Sequence, residues 1–132
     1  EKNPGRFCRV TSVKTFFYPD GVIKPADIFI DAANRHGDDL SGVDLVMFGG
    51  SDNEDALTIS ERLSGAGVVM YKKYSGEYLT SASYAMWLSC MILRNGLDKR
   101  IISCGESPHP EKILIFNSCG NKYGSFVIDE NV

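Results

Sequence analysis

Histidine and tryptophan are scarce in this 132-residue chain, with two of the first and one of the second, and its four cysteines form no C-x-x-C pair. Neither His36 nor His109 is spaced to complete a tetrahedral zinc site with Cys8, Cys90, Cys104 or Cys119, so no structural metal is expected. No apolar run approaches the roughly 20 residues that a spanning helix needs, and no charged-then-apolar leader opens the chain. A soluble, cytoplasmic protein that does not engage a membrane is the expectation. Basic residues lack any stripe: 14 Lys and Arg are scattered among 17 Asp and Glu, for a net charge of −3. Nucleic acid is therefore not an expected partner. The wide cysteine spacing fits reduced thiols, and two disulfides are the less favoured alternative for a chain longer than most disulfide-dense domains.

What is present is the make-up of an ordinary globular domain, 43% hydrophobic and 23% charged. Residues 1–132 are read as one domain, long enough to bury a real core. The first residue is Glu1 and not Met. A processed or trimmed chain, or a piece of something longer, is expected from that.

Arg6 to Tyr18 is rich in Val, Thr and Phe and is closed by the turn signal Pro19-Asp20-Gly21, which predicts a strand. Pro25 opens a segment in which Ile28, Phe29, Ala32 and Ala33 share one helical face before Gly37. Val43 to Phe48 is a continuous apolar run ended by Gly49-Gly50, the pattern of a strand covered on both faces. Ser51, Asp52 or Asn53 can cap a helix carrying Ala56, Ile59 and Leu63, broken by Gly65 and Gly67. Val68 to Tyr71 predicts another buried strand, and Ser81 to Asn95 a helix apolar nearly all round, stopped by Gly96. Ile113 to Phe116 and Ser125 to Ile128 then flank a short loop, as in an antiparallel hairpin. The order β-α-β-α-β-α-β-β predicts an α/β fold with a mostly parallel five-stranded sheet, three principal helices and an antiparallel final strand at one edge.

Four strings in this order resemble the carboxy-terminal half of β-ketoacyl-acyl-carrier-protein synthases, condensing enzymes of the thiolase-like superfamily. Val43-Asp44-Leu45-Val46-Met47-Phe48 entering Gly49-Gly50-Ser51-Asp52-Asn53 resembles the family's V-D-x-V-x-A entering H-G-T-G-T, with Gly49 at the histidine position. Lys72 followed by Gly76-Glu77 and Thr80-Ser81-Ala82-Ser83 resembles the family's lysine, G-H and small-residue helix start, with Glu77 at the second histidine position. Asn117-Ser118-Cys119-Gly120-Asn121-Lys122-Tyr123-Gly124 resembles N-S-F-G-F-G-G, and Leu93-Arg94-Asn95-Gly96 resembles L-R-x-G. The similarity spans Arg6 to Asp129. It implies a thiolase-like half-fold and an acyltransferase ancestry, with the nucleophilic cysteine in an amino-terminal half that nothing in this chain matches.

The family-equivalent catalytic positions are thus Gly49, Lys72 and Glu77, and the pocket candidates Asn117, Ser118, Cys119, Gly120 and Tyr123. Imidazoles at the first and third of these would stabilise a developing oxyanion. Gly49 cannot, and Glu77 serves as acid or base only with a raised pKa. Lys72, beside Lys73, is either part of a polar network or an exposed basic strand end. Cys119 has no local histidine or helix start to activate it and reads as a packed thiol before a nucleophile. His36, at a helix end, and His109, in a proline-flanked loop, occupy no family catalytic position. Tyr84, Met86, Trp87 and Met91 could line an acyl tunnel, but on so apolar a helix they read as core or subunit contact.

The resemblance implies a degenerate subunit or fragment that supports fatty-acid or polyketide assembly and is non-catalytic alone, in the manner of a chain-length factor. It would pair as a homo- or heterodimer with a cysteine-bearing amino-terminal half or an active synthase, with acyl carrier protein as a further partner and no cofactor. A fragment of a working acyltransferase using Glu77, and a module that only binds a partner, are the rival expectations.

Overall fold

The computed structural model describes residues 8–17, 26–27, 29, 31, 40–77, 80–119 and 122–130. Strand β1 runs Arg9–Phe17, β2 Leu45–Phe48, β3 Gly67–Val69, β4 Lys112–Cys119 and β5 Lys122–Asp129. The helices are α1 (Asn53–Arg62), the single turn α2 (Lys72–Ser75) and α3 (Ser81–Asn95), with a 3₁₀ turn at Lys99–Ile101. Ala26, Asp27, Phe29 and Asp31 are also helical, and the remainder of the helix expected from Pro25 to Gly37, His36 included, lies outside the described residues.

All five strands form one sheet in the order β1-β5-β4-β2-β3. β2 is parallel to β3 and to β4, while β5 is antiparallel to both β4 and β1. Four strands therefore point one way and the final strand points back, a mixed α/β sheet. One expectation is corrected: β5 is not an edge but is inserted between β4 and β1. The reason is apolar content, since Val127 and Ile128 are buried and need neighbours on both sides, whereas no described side chain of β1 is buried. The hairpin also pairs further than its apolar runs, out to Cys119↔Lys122, so Asn117, Ser118 and Tyr123 lie in strands and not in a loop.

Leu45, Val46, Met47 and Phe48 of β2 are at most 1% exposed, as are Ile113 to Phe116 of β4, because successive side chains enter opposite layers and both layers are covered. On one side Val46, Phe48, Leu114 and Phe116 meet Ala56 and Ile59 of α1 and Ala26 and Phe29 of the upstream helical segment. Phe29 sits edge-on to Phe116 at 5.3 Å. On the other side Leu45, Met47, Ile113, Ile115 and Ile128 meet Ala85, Ile92 and Leu93 of α3.

Asp52 caps α1, its Oδ1 accepting from Glu54 N at 2.7 Å and Asp55 N at 3.4 Å. Gly96 ends α3 in the left-handed region, at φ 93°, with its N–H donated to Ile92 O. Ser89 is fully buried in α3 and is satisfied locally by donating to Ala85 O at 2.7 Å.

Cysteine supplies a second correction. Cys8 and Cys90 form a disulfide, with Cα atoms 5.9 Å apart, that joins the start of β1 to α3. A sequence separation of 82 gives no local signal for such a pairing. Among the described residues no helix is long and apolar enough to cross a membrane.

Leu114 is fully buried between β2 and β5 against both helical segments of its layer. Leu114→Ala is expected to lower unfolding free energy by about 2–5 kcal/mol in urea titration, with the far-ultraviolet spectrum retained.

Candidate functional site

Because β2, β3 and β4 run in the same direction, their carboxyl ends lie side by side, the usual place for a site in such a sheet. Gly49 follows β2, Tyr71 and Lys72 follow β3, and Asn117 and Ser118 belong to the last residues of β4. The structure brings Gly49, Lys72 and Glu77, the positions singled out by the resemblance, into this one corner, together with Asn117 and the carbonyl of Ser118.

Lys72 begins the one-turn α2 and so is not a strand end, which corrects that reading of it. Its Nζ donates to Glu77 Oε1 at 2.8 Å and to Ser118 O at 2.6 Å. The lysine side chain is only 10% exposed while that of Glu77 is 70% exposed. The ammonium thus ties α2 to the end of β4, and Glu77 completes its coordination from the solvent side. An exposed carboxylate already engaged by a lysine is poorly placed to act as acid or base inside a closed pocket.

Tyr71 is fully buried, and its hydroxyl donates to Asn117 Oδ1 in a short hydrogen bond. Burial pushes this phenol well above its ordinary value of 10.0, a hydrogen bond with Ser81 acts in the opposite direction, and the charge of Glu77 raises it further. A side chain at position 49 would collide with this arrangement: a Cβ there would lie 2.9 Å from Tyr71 Oη and 3.1 Å from both Asn117 Cα and Asn117 Oδ1. Where the resemblance places an imidazole, the space is filled by a buried phenol and a carboxamide.

The remaining candidates separate from this corner. Tyr123 lies on the opposite face, pairing across to Ser118 and stacked at 6.0 Å on Phe116, with its phenol also raised by burial. Cys119 ends β4, its side chain outside the described residues as is Gly120. His109 lies at the other end of the sheet, on an open cleft of about 640 Å³ lined also by Asp44, Arg62 and Glu106. Of the α3 residues weighed as tunnel or core, Tyr84 and Met86 pack against the core, Met91 is half-buried, and Trp87 is 57% exposed. Among the described residues no cluster of His, Cys, Asp or Glu could hold a metal ion.

Tyr71 and Ser81 were missed as site residues. The usable signal was Tyr71 itself: a tyrosine ending a fully buried run must lodge its hydroxyl on a partner. No protein-family model and no curated protein matches the chain.

Gly49→Ala is expected to destabilise the fold by about 1–3 kcal/mol in chemical denaturation, and Tyr71→Phe in the same chain to recover part of that loss. Tyr71 also sets a pH dependence. Its raised folded-state pKa means the folded chain keeps a proton that the unfolded chain releases near pH 10.0, so its contribution is intact below that pH and falls as pH rises above it. Comparing wild type with Tyr71→Phe by urea titration across this range should show a steeper decline in wild type.

Proposed function

We propose that this chain is a degenerate half of a β-ketoacyl-synthase-type, thiolase-like protein that supports acyl-chain assembly by pairing and does not itself catalyse condensation. The observation that carries the reading is spatial. Strings far apart in sequence, around Gly49, Lys72 to Glu77 and Asn117, resemble the family's catalytic strings and meet at one end of one sheet. A mixed α/β sheet with a reversed final strand is compatible with this reading, although that strand lies between β4 and β1 and not at an edge. Among the described residues the corner holds no imidazole, its glycine position is walled off by Tyr71 and Asn117, and Glu77 is engaged by Lys72. The chain contributes a scaffold to the pocket and no nucleophile.

A pairing role is supported by the uneven cover of the sheet. Among the described residues, two helical segments lie on one face and α3 alone lies on the core of the other. Val10 and Val13 pair with Ile128 and Phe126, residues of the α3 face, so they sit on that face too. They are 44% and 59% exposed, and Phe17, two residues beyond Thr15 on the same side, is 61% exposed. Trp87 of α3 is likewise 57% exposed, its ring 5.9 Å from that of Tyr84. The occupant is a second thiolase-like half, either a copy of this chain or the cysteine-bearing half, whose own apolar helix lies alongside α3. A stable interface of about 800 Å² per partner is within reach of such a strip. The setting is cytoplasmic, with acyl carrier protein as a further partner of the assembled pair.

The purified chain is expected to show no condensation of an acyl thioester with malonyl carrier protein, and to sediment as a dimer at micromolar concentration. Trp87→Glu should weaken that association at least tenfold without moving the unfolding midpoint, because the indole is exposed in the single chain. A wild-type monomer at these concentrations removes the self-pairing reading, and measurable condensation removes the degenerate one.

A further inference from the structure

We propose that the Cys8–Cys90 disulfide is a reversible redox latch on the edge strand β1. The two edges of the sheet are secured differently. Beyond β3, the segment 103–106 supplies partners: Val68 N donates to Cys104 O at 2.9 Å, Ser103 N donates to Val68 O at 2.7 Å, and Ala66 bridges to Glu106. That edge is occupied. Among the described residues β1 pairs on one side only, with β5.

β1 is also the strand with least to hold it by burial. None of its described side chains is buried, and Val10, Val13 and Phe17 are each 44% exposed or more. Its register is interrupted between Val10 and Ser12. Its side-chain attachments to β5 include the Arg9–Asp129 fork, with bonds of 3.1 and 3.0 Å and an arginine side chain 59% exposed, and Thr11 Oγ1 donating to Val127 O at 3.3 Å. A strand of this kind belongs to the low-stability end of a domain. The covalent bond from Cys8, the residue before β1, to Cys90 on α3 adds a tie from its start to the helix layer.

The bond is placed for exchange. Cys8 and Cys90 are both half-buried and not sealed in the core, so a small thiolate can reach them. Opening proceeds with a dithiol of the thioredoxin class: its thiolate attacks one sulfur, its second thiol resolves the mixed disulfide, and the products are two cysteine thiols on this chain and one disulfide on the reductant. Closing uses glutathione disulfide as oxidant: one cysteine thiolate attacks it and releases a glutathione thiol, and the other then displaces the second glutathione from the mixed disulfide. In a cytoplasmic setting a disulfide is more often a switch than a permanent staple, in keeping with that chemistry. Opening frees β1 to leave the sheet, which withdraws Val10, Val13 and Phe17 from the α3 face and turns β5 into an edge.

The test is amide hydrogen exchange read by mass spectrometry on the whole chain, oxidised and after full reduction, with Cys8→Ser as an independent copy of the open state. Exchange of β1 amides is expected to quicken about a hundredfold or more on reduction and in Cys8→Ser, because release of Cys8 lowers the cost of opening this edge strand by itself. Amides of β2 and β4 should keep their protection. A change under threefold in β1 overturns the latch, as does parallel loss of protection in β2 and β4, which would make the bond a support of the whole fold. Absence of a Cys8–Cys90 peptide in a non-reducing digest of the oxidised chain overturns it as well. The readout needs no partner and no acyl substrate, so it stands or falls independently of the pairing role.

Discussion

Two-sided burial of the central strands is the constraint from which the rest of the molecule follows. β2 and β4 place every side chain of Leu45–Phe48 and of 113–116 in one of two apolar layers, so helices must cover both faces of the sheet. Parallel neighbours require each connection to cross from one end of the sheet to the other. The carboxyl ends of β2, β3 and β4 are thereby gathered at one end, and with them Gly49, Lys72 and Asn117. The location of the polar corner is a by-product of how this sheet hides its strands.

Inside that corner the interactions are those of structure. A phenol excluded from water needs a partner for its hydroxyl, and Tyr71 finds one on β4 in Asn117. The group that follows β3 is thus tied to β4 through one oxygen. Lys72 repeats the scheme one residue later, joining α2 to the backbone of β4 and holding Glu77 across the gap. Polar side chains that could serve chemistry elsewhere act here as cross-braces at the end of the sheet.

The buried strands and the helix punctuation were plain in the chain because each rests on local chemistry: the unbroken run Val43 to Phe48, a capping carboxylate at Asp52, a left-handed stop at Gly96. The position of β5 was not, because strand order depends on the relative apolarity of β1 and β5, a comparison between segments more than a hundred residues apart. The Cys8–Cys90 bond was hidden for the same reason. Gly49, Lys72 and Asn117 were legible as glycine and polar punctuation at strand ends, but which partner the buried hydroxyl of Tyr71 takes was not. Tyr71 reads as one more apolar residue until the pleat shows which way its hydroxyl points.

The wall at Gly49 bears on how such a molecule can change. Any single replacement there enters space already held by Tyr71 Oη and by both backbone and side chain of Asn117. An imidazole at this point requires a smaller residue at 71, which opens a void in the core and leaves Asn117 short of a donor, or a shift of β4 itself. Each route passes through a less stable sequence before any benefit exists. Packing of this kind makes position 49 resist single replacement, since any larger side chain there demands coordinated changes at both Tyr71 and Asn117.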